Sequence, residues 1–282
     1  MLKSFLTFTW SHLKKQTSAR VGLLLLVFIT SFALVGPWIS GYTYDQTQLA
    51  KKNQSPGKEF WFGSDDLGRD VFTRVGYGAR ISLFVGVTAA FIDMLLGVMI
   101  GSLAGYFGGK VDNFLMRMAD VLYSLPYLLV VVLILVMLGP GLLSIILAMT
   151  VIGWITMARI VRGQVQQIKQ LDYVMAIESL GASHGRILFR HILPNALGPI
   201  IVTLTLTVPS AIFAEAFLSF LGLGVQAPIA SWGTMASEGL PALPYYSWRL
   251  FFPALFISAT ILAFNLIGDG LRDALDVRRD VL

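Results

Sequence analysis

Residues 81–104 read ISLFVGVTAAFIDMLLGVMIGSLA, and this stretch decides the fold class of the 282-residue chain. It carries a single charged residue, Asp93. A helix needs roughly 20 apolar residues to cross the hydrocarbon core of a bilayer, which is about 30 Å thick. The stretch is long enough and apolar enough to do so, and it therefore predicts a membrane-spanning helix.

The composition of the whole chain points the same way. Hydrophobic residues make up 56% of it, charged residues only 13%, and the mean hydropathy is +0.73, whereas soluble domains carry roughly 25% charged residues. The net charge of +5 could indicate nucleic acid, but the Lys and Arg residues fall in short segments beside apolar runs, a pattern typical of membrane orientation. No nucleic-acid partner is expected. Cys is absent and the three His are scattered, so no metal site is expected.

Five further apolar segments predict an all-α membrane protein with six transmembrane helices: 21–39, 117–139, 142–161, 198–221 and 250–268. The first is longer than the apolar part of a secretory signal, so we expect it to be a retained span. If the N-terminus is inside, 14 Lys and Arg fall in inner segments and six in outer ones. Positive residues favour the inner side, which predicts that both termini lie inside.

Three glycines in the second predicted span, Gly97, Gly101 and Gly105, recur every four residues and share one helix face. Without side chains there, another helix can approach closely. The spacing indicates either packing inside this subunit or an interface with a second membrane subunit, and it does not separate the two.

Two acids fall within predicted spans, Asp93 and Glu215. A charge inside the membrane is costly, so an intramembrane acid indicates a functional site by default. Each could line a polar pathway or pair across helices. The alternative is an internal hydrogen bond to a Ser, a Thr or a backbone group.

The outer segment from about 40 to 79 is long and polar, which predicts a loop or a small extracytoplasmic subdomain. A cluster of charges there follows Trp61 and Phe62: Asp65, Asp66, Arg69 and Asp70. The cluster indicates contact with another protein on the outer side or a gate at the outer end of the bundle. A solvated cluster that fixes the loop onto the bundle is the alternative.

The inner segment between the fourth and fifth spans reads 162-RGQVQQIKQLDYVMAIESLGASHGRILFRHILPNALGP-199. It predicts a short amphipathic helix that begins at a capping Asp172 and ends near Gly181, with an apolar face formed by Tyr173, Ala176, Ile177 and Leu180. A second helical stretch is expected from about Ser183 to His191. So long an inner loop indicates docking of a partner; a helix that lies on lipid is the alternative.

This segment resembles the EAA loop of binding-protein-dependent ABC importer permeases. Gly181, followed by Ala182, and the pair Leu193-Pro194 are in register with the family pattern. Its Glu-Ala-Ala triplet corresponds to Met175, Ala176 and Ile177, so the acid is missing, and Glu178 lies one residue beyond. The resemblance implies that the helix docks on a cytoplasmic ATPase, with Met175 and Ile177 filling a groove there.

Four further stretches resemble the second, C-type permease of oligopeptide and dipeptide importers: 61–86, 190–195, 218–233 and 265–276. The resemblance implies the type I ABC importer (MetI-like) fold in a bacterial inner membrane. It also implies four partners besides lipid: a homologous second permease, two cytoplasmic ABC ATPases and an extracytoplasmic peptide-binding protein. It divides the chain into a tail, span and outer loop (1–79), a type-1 transmembrane domain (80–270) and a cytoplasmic tail (271–282).

The sequence places ATP hydrolysis outside this chain. Gly109-Lys110 is followed by Val111 and lacks the glycine that a phosphate-binding loop needs five residues earlier. We therefore expect no cofactor on this chain and expect ATP and Mg on the partner ATPases.

Three alternatives stay open at this point. The ligand could be another small molecule, such as a nickel complex. The chain could be an ion-coupled secondary transporter that uses Asp93 and Glu215. It could also be a membrane enzyme, although it lacks the HExxH motif.

Overall fold

The computed structural model describes the backbone of residues 16–281 and the side chains of residues 16–275. Within this part the regular elements are helical, apart from an isolated bridge between Ser64 and Asp70. The α-helices are α1 (Thr17–Ile39), α2 (Val71–Phe107), α3 (Gly109–Ser124), α4 (Tyr127–Leu138), α5 (Leu142–Lys169), α6 (Asp172–Ser179), α7 (His184–Ile187), α8 (Leu193–Phe220), α9 (Trp232–Gly239) and α10 (Trp248–Val281). The predicted all-α membrane architecture is confirmed.

Five helical segments are long and apolar enough to cross a membrane: α1, α2, α5, the continuous run from α7 through α8, and residues 248–275 of α10. Five of the six predicted spans are therefore confirmed, with longer helices than expected. The sixth predicted span, 117–139, falls on α3 and α4, which together are long and apolar enough to cross but meet at an angle of 87°. It is therefore not one continuous helix.

Pro126 explains the break in the third span. The residue before a proline is pushed out of the helical region, and Leu125 has extended backbone angles (φ −77°, ψ 141°). Beyond it, α4 has 12 residues and at 1.5 Å per residue is only about 18 Å long. Neither half alone can cross the bilayer. The single apolar run in the sequence suggested one continuous helix because hydropathy does not show the bend.

The expected divisions of the chain do not coincide with helix ends. The boundary at 79/80 lies inside α2, and α10 continues past residue 270 to Val281. Residues 1–15 of the expected N-terminal tail and Leu282 lie outside the described residues. The orientation with both termini inside stays a prediction.

The centre of the bundle is the parallel pair α2 and α5, and the three predicted packing glycines lie in its interface. A Cβ on Gly97 would lie 2.5 Å from the Cβ of Met157, and one on Gly105 would lie 2.7 Å from the carbonyl oxygen of Arg162. Gly101 faces Ala158 in the same way. The structure thus places all three against α5 of the same chain.

The outer segment before α2 folds against the opposite end of the bundle from α6. It contains a 3₁₀ turn at Leu49–Lys51 and ends at the Ser64–Asp70 bridge. The ring of Phe62 stacks on that of Phe252 at 3.8 Å between centroids. Aromatic packing of this kind makes the segment a small subdomain attached to α10.

Candidate functional site

The first candidate site is α6, which follows the end of α5. Val174 is buried and Ile177 is partly buried against a cluster formed by α5, α7, α8 and Tyr106 of α2. The predicted apolar face did not include Val174. Ile177, which was expected with Met175 in a groove of the ATPase, packs against the bundle instead. Exposed apolar side chains cover the rest of the helix and its ends: Leu171, Tyr173, Met175 and Leu180.

The start of α6 differs from the prediction by one residue. The N-cap is Leu171, with extended backbone, and Asp172 is the first helical residue. Asp172 is therefore not the cap. A carboxylate in the first turn still interacts favourably with the positive end of the helix dipole. Glu178, one residue beyond the motif triplet, has no comparable interaction because it lies near the other end of α6.

The end of α6 is a Schellman motif built on Gly181. The backbone N–H of Ala182 donates to the carbonyl of Ile177 (3.3 Å), and that of Gly181 donates to Glu178 (2.9 Å). This closure requires a left-handed residue, and Gly181 has φ +79°. Ala182 and Ile177 pack against the same apolar cluster, as the motif's hydrophobic contact demands.

The Leu193-Pro194 pair begins α8, immediately after a π-helical turn at Leu188–Ile192. Pro194 has no N–H to bond the carbonyl four residues earlier. The wider π turn, in which the N–H of Leu193 bonds the carbonyl of Leu188, lets the helix continue through this point. The predicted second helical stretch thus runs unbroken from α7 into α8.

Both ends of the segment that contains α6 meet one residue on α2, Tyr106. Its hydroxyl shares a hydrogen bond of 2.9 Å with Nδ1 of His184, the first residue of α7. Its carbonyl oxygen accepts from Nζ of Lys169, the last residue of α5, at 2.8 Å. The sequence pattern did not single out Tyr106 or His184.

Asp93 faces α5 rather than the outer surface of the bundle. It is 5% exposed, and Oδ1 has no hydrogen-bond partner among residues 16–275. Its carboxylate lies directly over Gly153, so closely that a Cβ at that position would overlap the carboxylate carbon, 2.7 Å away. Gly153 was missed because one glycine in an apolar span has many structural uses.

Glu215 is fully buried and hydrogen-bonded on both oxygens. Oγ of Ser82 donates to Oε2 (2.9 Å), and Oγ of Ser219 donates to Oε1 (2.8 Å). Oγ of Ser82 also accepts from the backbone N–H of Trp232 at 3.2 Å. This network joins α8, α2 and the start of α9, and it accounts for a buried acid without a pathway.

The predicted charge cluster is the centre of a larger ion-pair network on the outer segment. Asp65 is buried, accepts from Nε of Arg69 at 2.6 Å, and is paired with Arg74. Burial acts to raise the pKa of Asp65, but the positive charges of Arg74 and Arg69 and the hydrogen bonds from Arg69 outweigh it and hold that pKa below its usual range. At neutral pH, Asp65 is therefore ionised and paired with two buried guanidiniums.

The other members of the predicted cluster have separate contacts. Asp66 is exposed and lies 3.1 Å from Arg249 and 3.9 Å from Arg69. Asp70 caps α2 by accepting from the N–H of Thr73 at 2.9 Å. Burial raises the pKa of the Asp70 carboxyl, against the effect of the hydrogen bonds from Thr73.

Three members of this network were not predicted: Arg74, Glu238 and Arg249. Glu238, on α9, lies 3.1 Å from Arg74 and 3.4 Å from Arg69. These pairs join residues more than 160 positions apart, and neither composition nor spacing signals such a contact. The network fixes the outer segment to α9 and to the start of α10.

Comparison with known proteins agrees with this architecture. Residues 97–281 match the family described as "Binding-protein-dependent transport system inner membrane component", and residues 4–56 match "N-terminal TM domain of oligopeptide transport permease C". The chain is 59% identical over 258 residues to "Oligopeptide transport system permease protein OppC" of Bacillus subtilis (92% of this chain, 85% of the relative). It is 59% identical over 268 residues to "Dipeptide transport system permease protein DppC" of the same organism (95% and 84%), and 44% identical over 261 residues to OppC of Escherichia coli K12 (92% and 86%). The chain belongs to the family of inner-membrane components of binding-protein-dependent transport systems.

Proposed function

We propose that this chain is one permease subunit of an ATP-driven ABC importer for peptides, and that it forms half of the translocation pathway. Its family membership and the names of relatives that transport oligopeptides and dipeptides support the substrate class. The observation that carries the mechanism is α6, a rigid short helix with apolar side chains exposed at one end of the bundle. Exposed apolar patches mark docking surfaces.

In this proposal α6 docks on one of two cytoplasmic ATPases that bind ATP and Mg. The side chains of Leu171, Tyr173, Met175 and Leu180 are exposed, and Leu180 is 87% exposed. Burying such side chains is worth about 25 cal/mol per Å² of apolar area. Apolar docking therefore does not require the acid that the family motif has at the position of Met175.

Movement of α6 would reach the spans through packed elements. Its inner side, Val174 and Ile177, packs on the cluster shared by α5, α7 and α8, and α5 is held closely to α2 through the three glycines. Close-packed helices move as units rather than deform continuously. Closure of the ATPase pair is thus proposed to tilt α2, α5 and α8 together and to switch the pathway between its inward and outward states.

The remaining partners complete the importer. A homologous second permease supplies the other half of the pathway, and an extracytoplasmic peptide-binding protein delivers the ligand to the outer segment and α9. The assembly lies in a bacterial inner membrane with both chain termini in the cytoplasm. The family description, with its binding-protein dependence and inner-membrane position, supports this arrangement.

The docking proposal is tested by Leu180→Asp in the purified complex of this chain with its second permease and the ATPases. We expect the ATPases to be lost on size-exclusion chromatography, because a carboxylate would enter an apolar interface. The matched control is Leu49→Asp, an exposed leucine (67%) on the outer segment, which should keep them. ATPases that stay bound to the Leu180→Asp complex, with normal peptide uptake, contradict the proposal.

The substrate class is tested by uptake into proteoliposomes that contain the complete importer and its binding protein. We expect ATP-dependent accumulation of labelled dipeptides and longer oligopeptides. Accumulation of a nickel complex in place of peptides would replace the substrate assignment and leave the docking proposal intact. Uptake without ATPases, driven by an ion gradient, would support the secondary-transporter alternative and contradict both.

A further inference from the structure

Tyr106 occupies an unusual position at the end of α2. It is 3% exposed, and it is held from both sides by residues that flank the α6 segment. Lys169 precedes the segment and bonds its carbonyl oxygen, with Nζ also 5.1 Å from the centre of its ring. His184 follows the segment and bonds its hydroxyl. Entry and exit of the segment thus converge on one side chain.

On one side of Tyr106, α6 and α2 are separated by a cleft of about 510 Å³, lined by residues that include Gly105, Tyr106, Gln166, Lys169, Met175 and Glu178. On the other side, Tyr106 belongs to the buried apolar cluster that also contains Val174 of α6. Apolar packing is not directional, whereas the hydrogen bonds that Tyr106 makes with the two flanking residues are.

The two contacts differ in whether they depend on the Tyr106 side chain. The bond from Lys169 ends on a backbone carbonyl, so it is independent of the residue type at position 106. The bond to His184 ends on the Tyr106 hydroxyl. His184 comes two residues after Ala182, where the cap of α6 closes, and its ring also lies against those of Tyr106 and Phe107 (5.7 and 6.1 Å between centroids).

We propose that Tyr106 is the positioning residue that joins the exit of the α6 segment to α2, through the hydrogen bond between its hydroxyl and Nδ1 of His184. This inference rests on the proposed docking of α6 on an ATPase. When α6 moves, His184 moves with it and carries the end of α2 along. Without the bond, the ATPase still docks and hydrolyses ATP, but α2 moves less when α6 moves.

The test is Tyr106→Phe in the complete importer in proteoliposomes, with peptide transported per ATP hydrolysed as the readout. Loss of one hydrogen bond should lower this ratio about fivefold, with ATPase association unchanged. Tyr123→Phe is the control: Tyr123, on α3, contacts Arg159 through its ring (4.4 Å to the guanidinium carbon), which phenylalanine retains.

A double variant separates the hydrogen bond from packing. His184→Phe keeps a ring against Tyr106 and Phe107 but removes Nδ1, and it should lower the ratio as much as Tyr106→Phe does. The combined variant should be no worse than either single one. Effects that add instead, or an unchanged ratio in Tyr106→Phe, overturn the inference.

This outcome is distinguishable from failure of the docking proposal. If Leu180→Asp releases the ATPases while Tyr106→Phe transports with the normal ratio, docking stands and the role of Tyr106 is rejected. If Leu180→Asp has no effect on association or uptake, the docking proposal fails, whatever Tyr106→Phe does.

Discussion

Gly181 determines where α6 ends, because its left-handed backbone closes the Schellman motif. A side chain at this position meets nothing within 4 Å, so only the backbone conformation opposes substitution. We expect Gly181→Ala to loosen the end of α6 by about 1 kcal/mol and Gly181→Val to do so more strongly. The measurement is peptide transported per ATP hydrolysed, which should fall in that order.

Gly185 is the matched control for Gly181. It also has open space around its Cα but lies in α7, outside the left-handed region. Gly185→Ala should leave the ratio unchanged, because alanine is favoured over glycine in a helix. Equal losses in the two alanine variants would mean that backbone conformation at the end of α6 is irrelevant to coupling.

The effect of a substitution at Gly153 depends on the side chain at position 93, because the two positions are in contact. Gly153→Ala places a methyl group where the Asp93 carboxylate lies, so we expect it to destabilise the protein by about 1–3 kcal/mol. In an Asp93→Ala background the space is free, and the added Gly153→Ala should cost much less. The midpoint of thermal unfolding in detergent checks this; additive losses would show that the carboxylate does not occupy that space.

Among the elements, α3 is held to α5 by two ion pairs of unequal burial. Arg162 binds Asp112 with two nearly parallel bonds, Nε to Oδ1 at 2.5 Å and an Nη to Oδ2 at 2.6 Å. The pair between Arg159 and Asp120, at 2.7 Å, is more exposed. Bidentate pairs with a buried carboxylate are the stronger kind.

We therefore expect Asp112→Ala to lower the free energy of unfolding by about 1–3 kcal/mol, whereas Asp120→Ala should cost less than about 1 kcal/mol. Thermal unfolding of the purified chain measures both. A second readout is cysteine cross-linking between α3 and α5, which should weaken only in Asp112→Ala. The reverse order of stabilities would falsify the view that Asp112 fixes the broken span.

The helices show why five predicted spans are continuous helices and the third is not. Length and apolarity identify a span when one helix provides all of it, as in α2 and α5. In the third span the apolar run continues across Pro126, so hydropathy alone cannot register that the backbone turns by 87°. The proline itself was the available signal.

For the molecule as a whole, the outer segment depends on a carboxylate network that is sensitive to acid. The pKa of Asp65 in the folded protein lies below the value of about 3.9 expected in an unfolded chain. Its contribution to stability is therefore fully present above pH 4 and is lost as the pH falls through the folded pKa. The raised pKa of Asp70 acts in the opposite sense, because protonation relieves the cost of its burial.

We expect protection of residues 40–70 in hydrogen exchange to fall below about pH 4 in the native sequence. Asp65→Asn removes the titrating group, so the variant should begin with less protection at pH 7 and show a smaller further loss in acid. Lys58→Gln, an exposed change in the same segment, is the control and should follow the native profile. An unchanged acid profile in Asp65→Asn would show that other groups carry the pH dependence.

Much of the α6 site was predicted from the sequence: the short helix, its end at Gly181 and a second helical stretch after it follow from local rules about caps and glycine. The continuation of that stretch through Pro194 into α8 was not predicted. The side of α6 that faces the bundle could not be predicted from these rules. Tyr173, Val174, Met175 and Ile177 are all apolar, and only contact with α5 and α8 decides that Val174 and Ile177 face inward.

The amino-acid sequence by itself determined the membrane class, five of the spans, the position of the inner helix and the absence of a phosphate-binding loop, because each depends on neighbours a few residues apart. The tertiary structure alone decided the bend at Pro126, the placing of Asp93 over Gly153, the burial of Glu215 among serines and the convergence of Lys169 and His184 on Tyr106. These contacts join residues distant in sequence. They exist because close packing admits only side chains that fit their neighbours, and that constraint acts only once the helices have met.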